Sequence, residues 1–251
     1  MKALITGASS GIGRDMARYL STKGYDLILV ARRIEPMEEL KKELNTNVQI
    51  IQLDISTKEN CYELYNKTKN ENIDILINNA GFGIFGEFEE VDLEKEINLI
   101  NTNITAVHIL TKLYIKDMIK RDSGNILNVA SIAGFMPGPL MSSYYASKNY
   151  VVALSRAIQK ELKKKKSNVK LSVLCPGPVT TNFNNVAGVK FNLKSITSEY
   201  AAKYGIDEML KGKKVILPTF QIKLVKFFTK IAPDSLILEA SYRTQVRKRD
   251  Q

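Results

Sequence analysis

Seven short apolar runs punctuate the chain: Ala3–Thr6, Leu27–Ala31, Val48–Leu53, Ile73–Ile77, Asn125–Val129, Leu171–Cys175 and Lys214–Leu217. Each is nearly continuous in hydrophobicity rather than alternating, the pattern of strands buried on both faces of a parallel sheet. Between them, stretches such as Arg14–Lys23, Pro36–Leu44 and Lys58–Lys69 carry apolar residues at helical spacing. This alternation predicts an α/β fold, a doubly wound parallel sheet of about seven strands with helices on both faces and right-handed crossovers. The rhythm breaks once, after Pro176, where a long insertion separates the last two strands. Thr197-Ser198-Glu199 predicts the start of a small helix there. The expected organisation is one domain over residues 1–217, with a lid at about 178–212 over the binding crevice. Residues 218–251 then form an amphipathic extension and tail packed on the same domain.

Composition narrows the class. The 251 residues are 44% hydrophobic and 25% charged, which excludes a disordered or fibrous chain. Cys61 and Cys175 stand far apart without metal-ligand spacing, so neither a metal site nor a disulfide scaffold is expected. With strand-sized apolar runs and no leader pattern, the expected location is cytoplasmic. The net charge of +11 asks for an anionic partner. The run Lys163–Lys166 reads as a solvated helix end, and no nucleic-acid-binding module is visible.

The first turn, Thr6-Gly7-Ala8-Ser9-Ser10-Gly11-Ile12-Gly13, joins a strand to a helix. Glycines in that context let a backbone approach a pyrophosphate at a helix N-terminus. Gly7 to Gly11 also fits the GxSxG elbow of α/β-hydrolases. That reading needs a mobile histidine, and the only one, His108, lies inside an apparent helix. The second strand ends in Ala31-Arg32-Arg33 with no acid at its tip. An arginine there accommodates the 2′-phosphate of NADP(H), where an acid would hold the ribose of NAD. Arg32, with Arg33 beside it, is the expected selector.

Tyr144 and Lys148 stand four apart at the start of a helical pattern, so they share one face. A nearby ammonium favours the phenolate and brings a tyrosine toward useful acid–base chemistry. Ser131 and Asn79 both follow strands at the carboxyl edge of the sheet, where ligands bind. A hydroxyl at Ser131 can hold a carbonyl oxygen.

In that order, the Thr6–Gly13 turn, Asp54, Asn78–Gly81, Asn103, Ser131, Tyr144 with Lys148, and Pro176-Gly177 with Thr181 resemble the short-chain dehydrogenase/reductase family over residues 2–217. The resemblance implies a Rossmann-like fold and an NADP(H)-dependent oxidoreductase, commonly a homodimer or homotetramer. It implies Tyr144 as acid/base, Lys148 as its activator and ribose ligand, and Ser131 as the group orienting the carbonyl. Asn103 would support a proton relay. For the cofactor it implies contacts from Gly7, Ser9, Ser10, Gly11, Ile12 and Gly13, from Asp54 and Ile55, and from Asn79, Ala80 and Gly81. Pro176, Gly177, Val179 and Thr181 would hold the carboxamide.

The segment Ile132–Met141 carries no charge, and Phe135, Met141 and Phe183 are expected beside Ser131 and Tyr144 around the substrate. Such a lining favours a hydrophobic carbonyl or alcohol. Residues 218–231 form a basic amphipathic pattern with Lys223, Lys226 and Lys230. Packing over the active site or against a second subunit is the favoured expectation, contact with an anionic membrane the alternative. Arg243–Gln251 reads as a solvated tail.

Overall fold

The structure, a computed structural model, describes residues 1–181 and 195–249. All seven expected strands form, each with ends within two residues of its apolar run. They are β1 (Lys2–Thr6), β2 (Asp26–Ala31), β3 (Val48–Gln52), β4 (Ile75–Asn78), β5 (Asn125–Val129) and β6 (Lys170–Leu174). The seventh, β9 (Val215–Ile216), comes after a separate two-stranded pair, β7 (Val179–Thr180) and β8 (Ile196–Thr197). The main sheet runs β3-β2-β1-β4-β5-β6-β9 with every pairing parallel. From β1 the chain winds outward in both directions, so the crevice between the carboxyl ends of β1 and β4 is the switch point of the sheet.

The strands are apolar on both faces because both are covered. Ile5, Leu27, Leu29 and Ile77 pack under Met16 and Leu20 of α1 (Gly11–Thr22) and Ile206 and Met209 of α7 (Ser198–Leu210). Leu4, Ile28, Val30 and Leu76, one residue out of step, face Leu64 of α3 (Lys58–Thr68) and Leu110 and Met118 of α5 (Val107–Lys120). A period of two on a pleated strand sends neighbours to opposite faces. Each fully buried large side chain contributes about 1.5–3 kcal/mol. Between β2 and β3 lies α2 (Glu35–Glu43), and Cys61 and Cys175 are free and buried.

Two features steer the site. The helix α4 (Leu93–Ile100) passes through a π-helical turn, Asn101–Ala106, before continuing as α5. Insertions of this kind are frequent at functional sites because they re-aim one turn of side chains. After β5, a 3₁₀ turn at Ile132–Phe135 leads to α6 (Ser142–Lys164).

The C-terminal segment is more ordered than its composition implies. Thr219 caps α8 (Phe220–Phe228) by accepting a 3.4 Å hydrogen bond from the Ile222 N–H. The tail expected from Arg243 is helical as far as Arg249, the end of α9 (Asp234–Arg249), with Arg243 and Thr244 exposed as expected but Gln245 buried, while residues 250 and 251 lie outside the described residues. An Arg243–Glu239 ion pair spans one turn of α9, and Gln245 is fully buried against the domain. Among the described residues no helix is long and apolar enough to cross a membrane.

Candidate active site

The carboxyl ends of β1, β2, β4, β5 and β6 open into one cleft of about 1000 Å³. At one end lies the glycine turn. Gly7 and Gly11 have φ of +67° and +54°, a left-handed backbone that favours glycine. A Cβ on Gly7 would sit 2.8 Å from the Ala80 Cα, and one on Gly13 2.4 Å from the Asn79 amide nitrogen. These approaches let Asn79–Gly81 lock onto the turn. The Thr6 hydroxyl accepts from the N–H groups of Asn79 (3.0 Å) and Ala80 (3.1 Å). The Asn79 side chain donates to the carbonyls of Thr6 and Gly7 at 3.1 and 3.2 Å. At the N-cap of α1, Ser10 makes no side-chain capping bond, and Gly11 and Ile12 line the cleft. The uncapped helix N-terminus above a glycine cradle fits a diphosphate, so these residues suit a dinucleotide.

Beyond the turn, Arg32 and Arg33 line the cleft with Ser9, Asp54 and Ile55. Both arginines are exposed. The Arg33 guanidinium donates to the Ser9 hydroxyl at 3.4 Å, and Arg32 stands 4.0 Å from the Asp54 carboxylate. Two cations at the tip of β2, held this loosely, are available to an anion.

In the middle of the cleft lie Ser131, Tyr144 and Lys148. Ser131 caps the 3₁₀ turn, its Oγ accepting from the Ala133 N–H at 3.2 Å. Its hydroxyl is placed to hydrogen-bond the Tyr144 hydroxyl. Burial pushes the Tyr144 phenol up to about 12 despite that bond. Lys148, one turn later on α6, donates to the Val129 carbonyl at 3.1 Å, and its Nζ lies 5.7 Å from the centre of the Tyr144 ring. Burial brings its ammonium down to about 8, the Cys175 thiol opposing. The expected lowering of the Tyr144 pKa by Lys148 is therefore not expressed in this arrangement, where burial governs both groups.

Asn103 lies behind them, fully buried, on the π-helical turn. Its carboxamide brackets Phe82, accepting from the Phe82 N–H (3.1 Å) and donating to the Phe82 carbonyl (2.9 Å), and also reaches the Ser147 hydroxyl at 3.0 Å. A Cβ on Gly81 would sit 2.8 Å from the Asn103 Oδ1 and 3.4 Å from the Lys148 Nζ. The glycine thus brings the loop, Asn103 and Lys148 together.

Pro176, Gly177, Val179 and Thr181 form the opposite wall. Two expected contacts differ. Gly13 does not line the cleft; it serves the close packing of the turn on Asn79. Phe135 does not line it either, because the 3₁₀ turn directs its ring to the cluster of Leu217 and Ile222, under the Lys226 ammonium at 5.0 Å. Met136 takes that place beside Met141. Phe183 lies outside the described residues.

Sequence reasoning reached only part of the far wall. Ile222, Val225 and Phe228 of α8 and Leu236, Ile237 and Ala240 of α9 line the cleft, as does Tyr145. The apolar positions of 218–231 carried part of that signal: packing over the active site was one of the two favoured expectations for them, and α8 takes that place.

A switch-point cleft with a glycine cradle at one end and a cluster of buried Ser131 and Lys148 with half-buried Tyr144 in its middle defines a dinucleotide-dependent redox enzyme. The family model for short chain dehydrogenase matches residues 1–190. An uncharacterized oxidoreductase of Staphylococcus epidermidis is 31% identical over 181 residues, 71% of this chain and 78% of that protein. The human 17-beta-hydroxysteroid dehydrogenase type 3 is 38% identical over 187 residues, 71% of this chain and 59% of that one. A solved short-chain dehydrogenase from Sphingobium yanoikuyae in complex with NADPH superposes with a TM-score of 0.83 at 27% identity, covering 94% of both chains. The chain belongs to the short-chain dehydrogenase family and is an oxidoreductase.

Proposed function

We propose that this protein is an NADP(H)-dependent oxidoreductase interconverting a carbonyl and an alcohol on a hydrophobic substrate. The observation that carries the reading is the Ser131, Tyr144 and Lys148 cluster, with the Lys148 Nζ 5.7 Å from the centre of the Tyr144 ring, in the middle of a cleft whose one end suits a diphosphate. The glycine turn, Asp54, Ile55 and Asn79–Gly81 would hold the dinucleotide, with Pro176–Thr181 over its nicotinamide end. When bound it supplies the hydride, and the protein supplies geometry and protons.

In the reducing direction the substrate oxygen lies between the hydroxyls of Ser131 and Tyr144. Ser131 orients it by a hydrogen bond, and Tyr144, neutral at physiological pH, gives it the proton as charge develops. Lys148, titrating near 8, is mostly protonated at neutral pH and stabilises the phenolate left behind. Asn103 positions this face by tying Phe82 to Ser147 and stands where a proton relay would leave the site. Selection of NADP(H) falls to Arg32 and Arg33, which match a phosphate by charge and bidentate geometry. Support for a hydrophobic substrate comes from the wall of Met136, Met141, Ile222, Val225 and Leu236. The steroid-directed human relative adds to that support.

The test is NADPH absorbance in the presence of apolar ketones and aldehydes of graded size. Turnover that rises with apolar bulk is expected. No oxidation of NADPH across the panel would overturn the reading.

A further inference from the structure

The C-terminal helices gather exposed apolar surface to an extent unmatched among the described residues. Of 18 large hydrophobic side chains exposed to solvent, nine fall between Phe220 and Tyr242. Phe220 is 71% exposed, Phe227 57% and Ile231 61%. Large apolar side chains so concentrated mark an interaction surface.

The first part of that stretch is basic. From Phe220 to Pro233 the sequence holds three lysines, Lys223, Lys226 and Lys230, and no acid, and Asp234 follows at the start of α9. Lys226 is drawn inward over the Phe135 ring, so Lys223 and Lys230 are the cations that α8 and its end leave exposed. The patch is also continuous with the cleft: Val225, Phe228 and Leu236 both line it and are exposed.

We propose that the outer surface of α8 and the start of α9 docks on an anionic lipid bilayer, with the cleft opening toward the lipid. A bilayer interface takes up apolar side chains and cations together, and a helix that exposes phenylalanines and lysines side by side, as α8 does with Phe220, Lys223 and Phe227, can lie in its plane. A second copy of this chain seated there would meet its own lysines and close the cleft. An acidic protein would answer the lysines but not the row of phenylalanines. The bilayer answers both and leaves the apolar wall in contact with the phase in which a hydrophobic carbonyl dissolves. That last step rests on the reductase reading above; the docking does not.

The experiment is co-sedimentation of the full chain with phosphatidylcholine vesicles, with and without phosphatidylglycerol. Binding is expected only with phosphatidylglycerol present. Lys223→Gln with Lys230→Gln should lower the partition coefficient about 30-fold, and Phe220→Ser with Phe227→Ser about tenfold or more. None of these four residues lines the cleft, so NADPH-linked turnover of a water-soluble ketone in vesicle-free buffer should be unchanged. Absence of sedimentation, equal binding by the lysine variant, or a solution dimer dispersed by these substitutions without affinity for vesicles would overturn the proposal. A chain that sediments with anionic vesicles yet reduces no ketone would leave the docking in place and remove the reductase reading.

Discussion

The side-chain amide of Gln245 donates a 2.6 Å hydrogen bond to the hydroxyl of Tyr145, one hundred residues earlier and next to the proposed proton donor. Gln245 is fully buried, and the Tyr145 ring packs so closely on Gly138 that a Cβ there would lie 2.3 Å from it. This bond ties the last helix to the substrate side of the cleft. Gln245→Ala removes this bond from the Tyr145 hydroxyl and opens a buried site, and should cost about 1–2 kcal/mol, lowering Tm by about 2–8 °C. The KM for a bulky ketone should rise more than kcat falls, because the wall is loosened and the proton donor is not. Thermal melting and steady-state kinetics on one preparation check both.

Removing the lysine should separate stability from activity. Lys148 titrates near 8 in the fold against 10.5 for the free side chain, because it is buried. Between those values the folded chain holds fewer protons than the unfolded one, so stability rises with pH across that window. Below 8 the cost of a buried charge is present in full. Lys148→Met should therefore melt several degrees above the parent at pH 7, for a gain of about 1–3 kcal/mol. The advantage should narrow from pH 8 to 10.5. Activity should fall by about 100-fold or more. Melting curves across that pH range measure the trend.

Cofactor choice should follow the arginines at the tip of β2. Arg32→Ser should lower kcat/KM with NADPH by about tenfold or more, the worth of a charge-assisted hydrogen bond, and leave the value with NADH little changed. Arg33→Ser should act in the same direction more weakly, since Arg33 also contacts Ser9. Equal efficiency with both cofactors in the parent protein would refute the role given to Arg32.

A methyl group at position 81 should reach the chemistry indirectly. The added carbon in Gly81→Ala would lie 2.8 Å from the Asn103 Oδ1 and 3.4 Å from the Lys148 Nζ. Overpacking of this kind costs about 1–3 kcal/mol. Displacement of the Asn103 carboxamide should lower kcat more than it raises KM, and should shift the pH–rate profile, which a purely structural loss would not.

Most of the framework was legible because parallel strands write themselves as unbroken apolar runs. Leu4 and Ile5 must both be apolar when both faces of β1 are covered. The glycine turn and the Tyr144/Lys148 pair were legible because backbone conformation and helical spacing constrain residue type locally. The α9 part of the far wall was not. Nothing in the residues around Gln245 signals a hydrogen bond to Tyr145, because that contact depends on how two helices return over the sheet. The exchange of Phe135 for Met136 has a similar origin. A 3₁₀ turn of four residues sets which neighbour faces the cleft, and four residues carry no readable period. The embedded π-helical turn that buries Asn103 likewise left no trace in an otherwise helical stretch.

The central claim is that Tyr144 delivers the proton to the substrate oxygen. The most direct measurement is single-turnover NADPH oxidation by Tyr144→Phe, with fluorescence titration of NADPH as the control for cofactor binding. The account predicts a loss of about 100- to 10,000-fold in the chemical step with cofactor affinity nearly unchanged. A variant that binds NADPH and reduces the ketone at the parent rate would contradict it.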